Sequence, residues 1–158
     1  MARFDGLSVL LLAGLFALLS AYSRDISGAV IGLLVAAAGA IELHGVGLLR
    51  SGQNGMRWLV GSQLYLMCVM LGYVMFRLAR PDVSWLLPYV TGEAAEPIEQ
   101  AAQQAGLTVE QMLVESLRML YFCVAVLTIL YQGGMTLYYL RRRGAVGAAL
   151  QELDAGQA

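Results

Sequence analysis

From Val9 to Leu19 the chain carries no charged residue, and Gly14 is the only break in an otherwise apolar run. Three further runs of the same kind follow. A hydrocarbon layer requires every backbone N–H and C=O to be paired internally, which a helix does by itself and a strand does only within a closed barrel. Barrel strands alternate apolar and polar residues, whereas these runs are continuous, so the reading is transmembrane helix. A span needs about 20 mostly apolar residues, and the runs cover residues 6–22, 27–49, 58–78 and 117–140. They occupy most of a 158-residue chain in which 59% of residues are hydrophobic and 13% charged. The expected fold is an all-α membrane protein. Four transmembrane helices form a bundle in a single membrane domain, with a short external helical cap between the third and fourth.

The first run resembles a signal peptide in having Arg3, an apolar core and Leu19-Ser20-Ala21 at its end. Asp5 weakens the positive flank, and the run is read as a retained span. Arginines near span ends set orientation. With four spans, Arg3, Arg50, Arg57 and Arg141-Arg142-Arg143 share one side, and Arg24, Arg77, Arg80 and Arg118 the other. The triple arginine abuts a span directly, so both termini are expected in the cytoplasm, with the chain in a bacterial inner membrane. All ten basic residues are Arg, read as codon usage of a GC-rich genome. A net charge of −1 gives no global field for nucleic acid, and none is expected as a partner.

The connections are unequal. Residues 23–26 make a tight hairpin, and Asn54-Gly55 signals a turn between spans two and three. Residues 81–116 are long enough to carry structure. Within them, the apolar and aromatic stretch Val83-Ser84-Trp85-Leu86-Leu87-Pro88-Tyr89-Val90 suits the lipid interface, with a short re-entrant piece as the alternative. A helix is expected over 98–105, with Pro97 in its first position and Gly106 as its C-cap. Thr108 and Gln111 fit a capping box opening a last helix that runs unbroken from Val109 through Arg143. The acidic residues Asp82, Glu93, Glu96, Glu99, Glu110 and Glu115 suggest either a cation-gathering vestibule or an ordinary solvated surface. Their spacing fits no calcium loop. Residues 141–158, a cytoplasmic tail, are expected as a short amphipathic helix or a disordered end, and the arginine run suits either a topology signal or anionic headgroups.

The chemistry-bearing residues lie inside the spans. Glu42 sits about 12 Å inside the boundary marked by Arg50, where a carboxylate is costly and normally finds a partner. His44, two residues on, points to nearly the opposite side of the helix. Ser62 and Gln63 lie at similar depth in span three, as do Gln132 and Thr136 in span four, with Tyr65 and Tyr131 close in height. Glu42, Gln63 and Gln132 are thus expected in one polar layer, for which three readings stand. Glu42 is an ion or proton site, or a hydrogen-bonded packing group, or the partner of Arg57 in an ion pair at the inner mouth. One histidine and one glutamate on opposing faces make a poor chelate, so neither metal nor cofactor is expected. Cys68 and Cys123 fall at different depths and read as free, buried thiols, without the C-x-x-C of a redox enzyme.

Gly28, Gly32 and Ala36 form a small-residue ridge on span two, and Gly133-Gly134 either permits close packing of span four or kinks it. Such ridges let helices approach closely, within one chain or between copies. The leading functional reading is an oligomeric ion channel or transporter-like protein with Glu42 on its pathway. The runner-up is a non-transporting accessory or structural subunit of a larger membrane complex, and an enzyme comes third.

Overall fold

A computed structural model describes residues 2–51, 54–84, 86–87, 90 and 95–156, except the side chains of residues 2, 153 and 154. Among them there are only helices and their connections: α1 (Ala2–Tyr22), α2 (Ile26–Arg50), α3 (Met56–Ala79), α4 (Ala95–Gln104) and α5 (Val109–Ala155). Four of these are long and apolar enough to cross a membrane, and α4, between the third and fourth of them, is not. The protein is a small polytopic α-helical membrane protein. Trp85, Pro88 and Tyr89 of the expected interfacial stretch, and Glu93 of the acidic set, lie outside the described residues.

The chain divides into two compact units. The first comprises Met1–Leu71 and Thr128–Ala158, the second Gly72–Leu127.

In the first unit α1 and α2 lie antiparallel at very close range. A Cβ placed on Gly39 would fall 2.7 Å from the Gly6 carbonyl oxygen and the Leu10 nitrogen, and one on Gly32 would fall 2.7 Å from the Ala17 Cβ. Gly28 faces Ser20 in the same way. Partner numbers fall along α1 as they rise along α2, which is the antiparallel register. Lipid tails are as apolar as leucine, so burial alone does not drive helices together in a bilayer. Close van der Waals approach over small residues does, and the Gly28–Gly32–Ala36 ridge provides it within this chain. The hairpin turns through Arg24, whose φ of 61° is left-handed. Asp25 caps α2, its carboxylate accepting from the Gly28 N–H at 3.0 Å and the Ser27 hydroxyl at 2.6 Å. A second close approach joins the ends of α2 and α3, where a Cβ on Gly45 would meet the Trp58 Cβ at 3.0 Å and the Gly55 carbonyl at 3.1 Å.

Gly133 and Gly134 take no part in such contacts. A Cβ on either would meet nothing within 4 Å, and α5 passes through both without interruption. Among the described residues nothing packs closely on this pair. Cys68 and Cys123 are free, as expected, but exposed on the protein surface rather than buried. Both sit in spans, where an apolar thiol is as comfortable against lipid as against protein.

Among the described residues of the second unit, Val74, Val83, Ala102 and Leu117 are buried and apolar. α4 begins at Ala95, not near 98, and Pro97 falls in its third position. The first turn tolerates this because its N–H groups have no intrahelical acceptor. Its far end is a Schellman motif, with Leu107 N donating to Ala102 O at 2.9 Å and Gly106 N to Gln103 O at 3.1 Å. Gly106 supplies the positive φ, 67°. The capping box forms reciprocally: Gln111 N donates to Thr108 Oγ1 at 3.2 Å, and Thr108 N to Gln111 Oε1 at 2.9 Å. α5 then continues past Arg143 to Ala155, 47 residues in all, or about 70 Å. The expected separate tail is instead the last turns of that helix, since Ala, Leu, Gln and Glu are strong helix formers.

Candidate functional site

The ridge that brings α2 against α1 also carries Glu42. Gly28, Gly32, Ala36, Gly39 and Glu42 are all buried, and their spacings of four and three keep them on one helix face. Glu42 is 2% exposed. Gly6, in the first turns of α1, lies directly over it, so that a Cβ there would sit 3.3 Å from Glu42 Cβ and Cγ.

Two neutral donors hold the carboxylate. Gln63 Nε2, from α3, donates to Oε2 at 3.1 Å. The Tyr139 hydroxyl, from α5, donates to Oε1 at 3.1 Å. These two hydrogen bonds tie α2, α3 and α5 to one group. Gln63 is itself 1% exposed, and Ser62 beside it turns its hydroxyl back to the Leu59 carbonyl at 3.2 Å.

Along α5, Gln132, Thr136 and Tyr139 follow at spacings of four and three and are all buried, so they share the face that reaches Glu42. Gln63 Oε1, Gln132 Oε1 and Thr136 Oγ1 are buried with no hydrogen-bond partner among the described residues. Buried polar groups are nearly always satisfied, so three open oxygens, one on Gln63 and two on the α5 face that carries Tyr139, are notable. A second carboxylate, Asp5, stands within electrostatic range of Glu42 and accepts from the Tyr131 hydroxyl at 3.3 Å.

The sequence-expected residues separate accordingly. Glu42 and Gln63 meet directly, and Gln132 lies two turns along the α5 face that contacts Glu42. His44 points away, exposed, with its ring 5.1 Å from that of Trp58 in a T-shaped arrangement. Arg57 is exposed, while each Glu42 oxygen accepts a hydrogen bond, one from Gln63 and one from Tyr139. Among the described residues Arg57 forms no ion pair with Glu42. Near the head of span three a long arginine reaches for water rather than turning inward. Tyr139 and Asp5 were missed. The signal for Tyr139 was its helical spacing from Gln132 and Thr136, masked by its place beside Tyr138 and the arginine run, where tyrosines ordinarily anchor to the interface.

Among the described residues no cation faces Glu42, and no group of three or more His, Cys, Asp or Glu could hold a metal ion. What remains around Glu42 is neutral amide and hydroxyl groups, with three buried oxygens left open to a further partner among the described residues. Oxygen donors of this kind suit protons and hard cations. In the second unit, Arg77 Nε donates to the Tyr121 hydroxyl at 2.9 Å, and Tyr73 packs edge-on to Tyr121. Searches against protein-family models, curated proteins and solved structures find no match for this chain.

Proposed function

We propose that this protein is a small channel or transporter-like protein in which Glu42 binds the permeating cation or proton within the membrane. The observation that carries the reading is a buried carboxylate held by two neutral donors, with three buried oxygens on Gln63, Gln132 and Thr136 that have no partner among the described residues. A charged group in a span is expensive, and its usual reason is an ion or proton path. Carboxylates without a basic neighbour favour cations over anions. In this reading the four spans form one membrane domain, a bundle capped by α4, with both termini cytoplasmic in a bacterial inner membrane. Self-association over the exposed apolar face of α5 completes the pathway.

A second reading, a non-transporting subunit of a larger membrane complex, draws on the same closure of Glu42 by Gln63 and Tyr139, which also suits a fixed packing device. Proteoliposomes separate the two. Cation or proton flux in wild type that falls in Glu42→Gln supports the pathway. Absence of flux from folded wild type over several cations and pH values, with a partner protein retained on purification, supports the subunit.

A further inference from the structure

The inner end of α5 carries a second feature, distinct from the Glu42 layer. A cavity of about 500 Å³ opens there between α2, α3 and α5, within the range that holds small ligands. Its walls are Leu49, Met56, Leu59, Met135, the Tyr139 ring and Val146, almost wholly apolar. Arg142 lines it too, its guanidinium carbon 5.2 Å from the centre of the Tyr138 ring. That stacking fixes the charge at the cavity's edge. A neighbouring hollow of about 420 Å³ adds Arg141, and another of about 270 Å³ is lined by Arg57 and Arg143. Among the described residues no carboxylate pairs with Arg141, Arg142 or Arg143.

We propose that this cavity is a binding site for an anionic phospholipid, with one acyl chain against Leu59, Met135 and Val146 and the headgroup phosphate on Arg142 and Arg141. The argument is complementarity at one depth. An apolar slot with unpaired guanidinium groups at its edge matches an amphiphile with an acyl chain and a negative head. A guanidinium offers phosphate two parallel N–H donors. Basic pockets between helices at the membrane boundary take anionic headgroups on the same grounds. Because the Tyr139 ring lines the slot while its hydroxyl holds Glu42, a seated acyl chain braces the residue that positions the carboxylate.

Native mass spectrometry of the full chain in detergent, with equimolar phosphatidylglycerol and phosphatidylcholine, tests this. Wild type retains phosphatidylglycerol in preference by about fivefold or more, the scale of one arginine acting on an anionic lipid. Arg142→Gln brings the ratio towards one. Arg118→Gln, at the opposite end of the span, leaves it unchanged, and Val146→Trp lowers retention of both lipids by filling the slot. Excess inorganic phosphate does not displace the lipid. Three results overturn the proposal: a wild-type ratio near one, an Arg118→Gln effect equal to that of Arg142→Gln, or displacement by phosphate alone. The wild-type ratio decides even where a variant fails to fold, which circular dichroism reveals.

Discussion

Replacing Gly39 by alanine adds one methyl group where α2 presses directly on the α1 backbone. That carbon would fall 2.7 Å from two backbone atoms of α1, the Gly6 oxygen and the Leu10 nitrogen, where ordinary contact begins at 3.4 Å. Backbone has no rotamer with which to yield, so the helices must part by about 0.7 Å. A gap of about 0.5–1 Å forfeits a quarter to a half of each van der Waals well along the interface. The loss extends from Gly6 to the Ala17–Gly32 and Ser20–Gly28 contacts. Overpacking of this kind costs about 1–3 kcal/mol. Intrinsic preference would favour alanine in a helix by about 1 kcal/mol, but spans stay helical in the dissociated state within a bilayer or micelle, so that gain largely cancels. Gly133→Ala, with nothing within 4 Å of the added carbon, is the control and changes stability by less than about 0.5 kcal/mol. Reversible unfolding in mixed micelles with increasing dodecyl sulfate measures both. A Gly39→Ala variant as stable as wild type, or a Gly133→Ala variant equally destabilised, would refute the close-approach argument.

Tyr139→Phe removes one donor from Glu42 and destabilises by about 0.6–2 kcal/mol in the same assay, whereas Tyr138→Phe on the neighbouring exposed position is neutral. Cys68 and Cys123 are exposed on spans, so a water-soluble maleimide leaves both unmodified in liposomes and reacts after solubilisation in dodecyl sulfate, because the thiolate needs water to form. Rapid labelling in liposomes would put those faces in water. The Asp82 carboxyl, in the connection after α3, is held below its ordinary value by hydrogen bonds from the Ser84 hydroxyl and then the Ser84 N–H. Its contribution is therefore full above the unfolded value and lost as pH falls through the lowered one. Ser84→Ala raises the Asp82 midpoint in an NMR titration, and an unchanged midpoint would remove the hydroxyl as its cause.

The spans were legible because lipid demands long apolar helices, and the α4–α5 joint because Gly106, Thr108 and Gln111 are local signals acting over three or four residues. Depth counted along each span was enough to bring Gln63 to Glu42. It could not give rotation: Arg57 was placed near the layer by height but faces outward, and Tyr131, close in height, turns to Asp5. Asp5 itself drew notice only as a charge flanking the first span, since nothing local in sequence says that α1 begins beside the Glu42 layer. The length of α5 was underestimated because the Arg141–Arg143 run looks like the end of a span, yet helix formers beyond it carry the helix on to Ala155.

The central claim is that the Glu42 layer takes up a cation or proton from outside the chain. A structure in lipid at a resolution that shows ordered water and ions tests it most directly. The account predicts Gln63 and Tyr139 on Glu42, with a chain of water or a bound cation meeting Gln63 Oε1, Gln132 Oε1 and Thr136 Oγ1. A dry layer in which those three oxygens are satisfied by protein groups alone would contradict it.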